Sequence, residues 1–240
     1  MPKILLINPP FNITKENYDS SISVGLLSIA TYLDSEGIDV EIVDGVRQKN
    51  YLDLVREKIK DCKYACLSVM TMQISRAFEV CRLIRESNPE CKIIWGGFHP
   101  TFFIKETVIH PLIDIVCYGE GEITTREIVR GKNFREINGI AYKNNGEVIV
   151  NPPRELHDPV KMPLFKWDLV PEEILHNLYL IPSLTSRGCP HRCAFCINAI
   201  LKNKWRMRTA EQVLNDLEII KSKDYFKDKK LRFWDENFFV

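Results

Sequence analysis

The feature that most constrains this chain is a rhythm. Over about the first 130 of its 240 residues, short apolar runs alternate with amphipathic stretches of helical period. "KILLIN" (3–8) is apolar and stops at Asn8, Pro9 and Pro10, as a buried strand entering a loop does. "VGLLSIATYLDSEG" (24–37) sets Leu26, Leu27, Ala30 and Leu33 at helical spacing, with Gly37 placed to end the helix. "DVEIVD" (39–44) alternates as a strand, and "YLDLVREKIKD" (51–61) puts Leu52, Val55 and Ile59 on one helical side. The pattern repeats in "YACLSVM" and "SRAFEVCRLIRESNP", in "CKIIWGG", and in "IDIVCYGEGE" followed by "EITTREIVRG". Five apolar strands separated by helices predict an α/β fold, a doubly wound parallel sheet of the flavodoxin or Rossmann kind covered on both faces.

Ligands of such sheets bind where the strands end. Those ends carry "NPP" (8–10), "SVMT" (68–71), "GGFHP" (96–100) and "YGEGE" (118–122). No G-x-G-x-x-G follows the first strand, so a plain dinucleotide fingerprint is absent. The glycines at these ends suit close backbone approach or tight turns, and Ser68 and Thr71 suit a ligand contact or a helix cap.

The pattern changes near residue 133. "NGIAYKNNGEVIVNPP" reads as a hairpin about Asn144, Asn145 and Gly146, and the Pro-rich "RELHDPVKMPLFKWDLVPEE" as an ordered linker. "LYLIPSLTS" then begins a second unit. "TAEQVLNDLEIIKS" is a helix with a Thr209–Gln212 capping box, and "KLRFWDENFFV" is a further strand. The expected division is 1–133, a Rossmann-like domain; 134–178, hairpin and linker; and 179–240, the start of a βα-barrel. A barrel of eight units takes roughly 250 residues. Two strands cannot close one, so the chain is expected to be part of a longer protein and inactive by itself.

Net charge is +1, so nothing draws the chain to nucleic acid, and no apolar run reaches the length of a membrane span. The N-terminus lacks the layout of a signal peptide, which predicts a cytoplasmic protein. Of the eight cysteines, Cys62, Cys66, Cys81, Cys91 and Cys117 sit among apolar neighbours and read as core residues. The other three, Cys189, Cys193 and Cys196, crowd into "CPHRCAFC". Two cysteines can pair and four can close a metal site; three at spacings of four and three leave one corner of a four-iron cluster without a protein ligand. The alternative is a structural zinc site on the same three thiols with His191, in a ligand-binding module without catalysis.

"CPHRCAFC", with Phe195 before its last cysteine, resembles the C-x3-C-x2-C signature of radical S-adenosylmethionine (SAM) enzymes. The resemblance implies that Cys189, Cys193 and Cys196 bind a [4Fe–4S] cluster whose open iron chelates SAM. An electron from a flavodoxin- or ferredoxin-type donor then cleaves SAM to a 5′-deoxyadenosyl radical that takes hydrogen from a small-molecule substrate. It places Phe195 beside the cluster or the adenine, and it turns Asp235, Glu236 and Asn237 of "FWDENFF" toward SAM. Arg206 and Arg208 of "WRMR" match a basic pair common in the family or are exposed cations ahead of a helix. The N-terminal half, in "LLINPP", "VGLLSIATYL", "GGFHPT" and "YGEGE", resembles the subgroup with a cobalamin (vitamin B12) domain. That implies a corrinoid over the strand ends, in reach of Asn8, Pro9, Ser68, Thr71, Gly96, Gly97, His99, Gly119 and Gly121. The D-x-H-x-x-G histidine of many cobalamin domains is missing from "NPPFNITKENYDS". The resemblance implies methyl transfer to an unactivated carbon; relatives that cyclise or oxidise, and methylthiotransferases with a second cluster, are the alternatives.

Overall fold

The computed structural model describes residues 3–11, 22–201 and 203–239. They divide into two compact units, one built chiefly from β1, residues 23–154 and residues 166–171, the other from 155–165 and residues 172 onward.

The first unit runs β1 (Lys3–Asn8), α1 (Val24–Ser35), β2 (Val40–Asp44), α2 (Tyr51–Lys58), β3 (Cys62–Ser68), α3 (Ile74–Ser87), β4 (Lys92–Gly96), α4 (Phe98–Phe102), α5 (Ile104–Val108), β5 (Ile115–Cys117), α6 (Glu122–Val129), β6 (Ile140–Asn144) and β7 (Glu147–Val150). The seven strands form one sheet in the order β2-β1-β3-β4-β5-β6-β7. The first five are parallel, with Leu6 opposite both Ile42 and Cys66, and Leu67 opposite Trp95. This is the flavodoxin-like order 2-1-3-4-5, in which the connections reverse direction between β1 and β3.

Both faces are apolar because both are covered. Leu5, Ile7, Ala65, Leu67, Ile93, Trp95 and Val116 point into one core with Val55, Ile59, Val80 and Ile84 of the α2–α3 layer. The alternate residues Ile4, Leu6, Cys66, Ile94 and Ile115 are equally buried on the opposite face, on the side-chain alternation of a strand. Each such side chain contributes about 1.5–3 kcal/mol on burial. Ser23 caps α1 by accepting from the Leu26 amide.

Two features depart from the sequence reading. The hairpin expected to open a linker instead completes the sheet, since β6 runs antiparallel to β5, with Ile115 opposite Tyr142 and Cys117 opposite Ile140. β5 would otherwise be a bare edge of unpaired amides. And "GGFHP" is not a plain loop, because α4 and α5 follow β4, each only five residues and too short for periodicity to reveal.

The second unit contains α7 (Glu172–His176), β8 (Leu180–Ser183), β9 (Ser186–Arg187), α8 (Asn198–Leu201), β10 (Arg206–Met207), α9 (Ala210–Ser222) and β11 (Lys230–Phe233). β8 and β11 are parallel, with Ile181 opposite Leu231 and Ser183 opposite Phe233, so β8, α9 and β11 make a βαβ unit. The expected capping box is present: Gln212 N donates to Thr209 Oγ1 at 3.2 Å and Thr209 N to Gln212 Oε1 at 3.2 Å. Arg208, one of the two cations read as exposed, is not. Its guanidinium pairs with Asp216 of α9 at 3.3 Å, with side chains 7% and 1% exposed, and sits over the Phe165 ring. Burial pushes the Asp216 carboxyl up from its ordinary value, and Arg208 offsets that in part. Arg208→Ala would leave a buried carboxylate unpaired and is expected to cost about 3 kcal/mol. Replacing both partners with leucine should cost less than the single change, which urea denaturation of the three variants measures.

Candidate functional site

The ends of β1 and β3 flank the reversal point of the sheet, and a buried polar chain crosses them. Gln73, just past β3 and 1% exposed, donates from Nε2 to Asn8 Oδ1 at 3.0 Å and to the Pro9 carbonyl, and accepts the Met70 amide at 2.8 Å. Asn8 Nδ2 in turn donates to Asp44 Oδ1 at 3.0 Å, and the Asp44 amide donates to Gln48 Oε1 at 2.9 Å. Both ends of the Asn8 amide are therefore engaged within the chain. Asn8, read from sequence as a cofactor contact, holds three strand ends in register. Desolvation pushes the Asp44 carboxyl up to about 6, against hydrogen bonds from Val46 and Asn8 that pull it down. Neither Gln73 nor Asp44 was singled out from sequence; the place of Asp44 at the last position of β2 was a signal, and Gln73, five residues past β3, gave none.

The exits of β3, β4 and β5 are knitted in the same way. Val69 N donates to Gly96 O at 2.8 Å and His99 N donates to Val69 O at 3.0 Å. Gly97 lies between them with φ +95°, and a Cβ there would stand 2.9 Å from Val69 N and 3.0 Å from Val69 O. Only glycine adopts that backbone in that space without strain. Thr101 Oγ1 donates to Gly97 O at 2.7 Å and accepts from Gly119 N at 3.2 Å, a link between β4 and β5 that sequence reading missed. Thr71 Oγ1 and His99 Nδ1 are 3.2 Å apart, and the His99 ring lies 5.0 Å from that of Phe103. Partial burial lowers the His99 pKa, which favours the neutral imidazole.

Of the expected contacts, Ser68, Thr71, Gly96, Gly97, His99 and Gly119 thus gather around these exits. Gly121 serves packing, since a Cβ would meet Ile29 of α1 at 3.0 Å. Met70, Met72, Phe98 and Phe103 are all more than 40% exposed along the β3 and β4 exits. An exposed apolar surface with a few polar groups suits a large flat ligand. The loop in which D-x-H-x-x-G would fall, residues 12–21, lies outside the described residues.

The cysteine loop leaves β9. Gly188 has φ +79°, and a Cβ would stand 2.3 Å from the Lys204 carbonyl oxygen, so the returning chain passes tightly over it. β9 and β10 close the neck as a short antiparallel pair, and Arg208 N donates to Thr185 O at 2.8 Å. Within the loop, Cys196 N donates to Cys193 O at 2.9 Å, and the Arg192 guanidinium donates to the Cys189 and His191 carbonyls. Cys189 and Cys196 are half-buried and Cys193 is exposed; all three are free thiols. Phe195 is 94% exposed.

Among the described residues, no three His, Cys, Asp or Glu side chains converge on a point where one ion could sit. A zinc ion needs its sulfur ligands within about 2.3 Å of one centre, and Cys189, Cys193, Cys196 and His191 do not supply that. In a four-iron cluster each thiolate takes a different iron, so the ligands stand further apart. Three accessible thiols on one loop fit that donor set.

Asp235 and Glu236, read as facing SAM, have partners inside the unit. Asp235 Oδ1 accepts from Thr185 N at 3.0 Å, Thr185 Oγ1 at 2.8 Å and Ser186 Oγ at 2.6 Å. Glu236 accepts from Gly188 N at 3.2 Å and from Asn198 Nδ2. Asn237 is half-buried. The remaining cysteines are core residues, as expected: burial pushes Cys62 to about 11 and Cys81, Cys91 and Cys117 to about 12, and raises Cys66 as well. Buried thiols with raised pKa values stay protonated, as packing residues of the first unit.

Residues 17–129 match the family of the B12 binding domain. The chain is 31% identical over 98% of its length to an uncharacterized methyltransferase of Pyrococcus horikoshii, covering 54% of that protein. It is 27% identical over 90% of its length to an anaerobic magnesium-protoporphyrin IX monomethyl ester cyclase of Synechocystis, covering 46%. Among solved structures it matches OxsB, a cobalamin-dependent S-adenosylmethionine radical enzyme with aqua-cobalamin and S-adenosylmethionine bound. The TM-score is 0.83 at 26% identity, over 99% of this chain and 34% of that one. The chain spans about half the length of the curated relatives. No helix among the described residues is long and apolar enough to cross a membrane.

Two tests follow from the strand ends of the first unit. With a folded-state pKa near 6 against an ordinary 3.8, folded Asp44 holds its proton more tightly than the unfolded chain does. Its contribution to stability is therefore largest below about pH 4 and is lost as pH rises through 6. Relative to Asp44→Asn, wild type should lose about 3 kcal/mol between pH 4 and pH 7, for a shift of about two units; urea midpoints at both pH values read this. Gly97→Ala should cost about 2 kcal/mol from the left-handed backbone and the Val69 contact, seen as a lower thermal midpoint.

Proposed function

We propose that the protein is a cobalamin-dependent radical SAM enzyme that transfers a methyl group to an unactivated carbon of a small molecule. The observation that carries this reading is a loop of three free, accessible thiols, Cys189, Cys193 and Cys196, leaving a parallel βαβ unit in a chain whose residues 17–129 match the B12 binding domain family. The match to a methyltransferase over 98% of the chain supports methyl transfer, and the cyclase relatives keep ring formation as the second reading.

In this proposal Cys189, Cys193 and Cys196 hold the [4Fe–4S] cluster. Asn237 and Phe195 are the side chains left to meet SAM, because Asp235 and Glu236 are engaged with the loop. The corrinoid lies on Ser68, Thr71, Gly97, His99, Met70 and Phe98, with Asn8, Asp44 and Gln73 as the support beneath. When bound, the cluster and SAM together supply hydrogen abstraction from carbon, and cobalamin supplies the methyl group. The chain's own part is orientation. Gly119, with open space where a Cβ would stand, lets backbone approach a flat ligand without an intervening side chain, His99 stays neutral beside Thr71, and the apolar Met70 and Phe98 exclude water where they are covered. The barrel beginning at residue 179, and a flavodoxin- or ferredoxin-type donor, belong to the same proposal.

Anaerobic reconstitution with iron, sulfide and hydroxocobalamin tests it. The expected result is about four irons and one cobalt per chain. Cys193→Ala should lose the iron and keep the cobalt. One tightly held zinc with no iron would overturn the reading.

A further inference from the structure

The cysteine segment begins and ends on one carboxylate. Gly188, the residue before Cys189, donates its amide to Glu236 Oε1 at 3.2 Å, and Asn198, two residues after Cys196, donates its side-chain amide to Glu236 Oε2. Both oxygens of a single side chain, carried just past β11, thus close residues 189–197 into a loop. Neither anchor is free to move. Gly188 is fixed by its left-handed backbone beneath the Lys204 carbonyl. Asn198, 2% exposed, opens α8, and its Oδ1 has no hydrogen-bond partner among the described residues, so Glu236 is what holds that amide. The neighbouring Asp235 does different work, since all its partners, Thr185 and Ser186, lie before the loop, in the β8–β9 turn.

We propose that Glu236 is a positioning residue that staples the two ends of the cysteine loop and so sets the spread of the three thiols before any cluster is present. This rests on the proposed function for its purpose, but the staple itself is a property of the chain alone. The loop's internal bonds are few: one Cys193–Cys196 turn, the first turn of α8, and Arg192 on two carbonyls. Without Glu236, nothing among these ties residue 188 to residue 198. All six residues between 189 and 197 that separate or follow the cysteines are exposed, so apolar packing does not replace the tie.

The test compares wild type, Glu236→Ala, Glu236→Gln and Asp235→Ala in the full chain. Amide hydrogen exchange on the protein without iron reads the staple directly. Glu236→Ala should speed exchange across 188–198 by about five- to tenfold while the strands of the first unit stay unchanged. Asp235→Ala should act mainly on 184–187. Glu236→Gln keeps one acceptor and should fall between wild type and alanine. After anaerobic reconstitution, Glu236→Ala should retain less than half of the wild-type iron, with a heterogeneous electron paramagnetic resonance signal on reduction, and Glu236→Gln should recover part of both. Unchanged exchange at 188–198 in Glu236→Ala would overturn the staple. Faster exchange with full iron and an unaltered signal would overturn the positioning role. Faster exchange in a variant of a wild type that itself takes no iron would uphold the staple and sink the proposed function instead.

Discussion

The first unit depends on the buried amide of Gln73. A parallel sheet brings all its strand ends to one edge, and at the reversal point neighbouring connections leave to opposite faces, so a gap opens between β1 and β3 with backbone groups on both sides. Gln73 fills that gap with one side chain. It donates to Asn8 and Pro9 and takes the Met70 amide. Asn8 passes the connection to Asp44, and Asp44 to Gln48. Buried polar groups cost free energy unless paired; here each member pairs with the next, so the floor under the strand ends is rigid. The Gln73 chain spans β1, β2 and β3, while the β3 and β4 exits are tied separately through Val69, Gly97 and His99, which leaves the side chain of Thr71 exposed.

The second unit solves a similar problem with charge. A loop of accessible thiols has little packing to shape it. Its neck is fixed by the two-residue pair β9–β10, by Gly188 under the Lys204 carbonyl, and by two consecutive carboxylates after β11. Carboxylates accept from backbone amides more strongly than neutral oxygens do, which suits a short anchor that must define geometry with few contacts. Behind it, the Arg208–Asp216 pair ties the strand leaving the loop to α9.

Much of this was legible in the residues. Strand and helix order in the first unit followed from periods of two and 3.6, because both kinds of element are sorted by burial and burial is written in apolar spacing. The Asn145–Gly146 turn was legible because both residues take positive φ there, at 50° and 84°, as a two-residue hairpin demands. The Thr209 box was legible because its chemistry is local. What was not legible is non-local. Nothing in "NGIAYKN" says that its partner is β5 and not only its own hairpin mate. Nothing in "WRMR" says that Arg208 meets Asp216 inside the unit while Arg206 lies in β10. The partners of Asn8, Asp235 and Glu236 within the chain were not legible for one reason: a polar residue at a strand end can face a ligand or the neighbouring loop, and the apolar spacing does not say which.

That ambiguity has a physical resolution here. A carboxylate or amide at a strand's end is worth most where its partners are backbone amides with no other acceptor, since leaving those unpaired carries the full desolvation cost. Thr185 N, Gly188 N and Met70 N are such donors, and each is met by Asp235, Glu236 or Gln73. Residues with weaker internal claims are more exposed, as Thr71 and the 94% exposed Phe195 are. Support is thus assigned along the chain by the strength of the local backbone demand, which Asp235, Glu236 and Gln73 each meet.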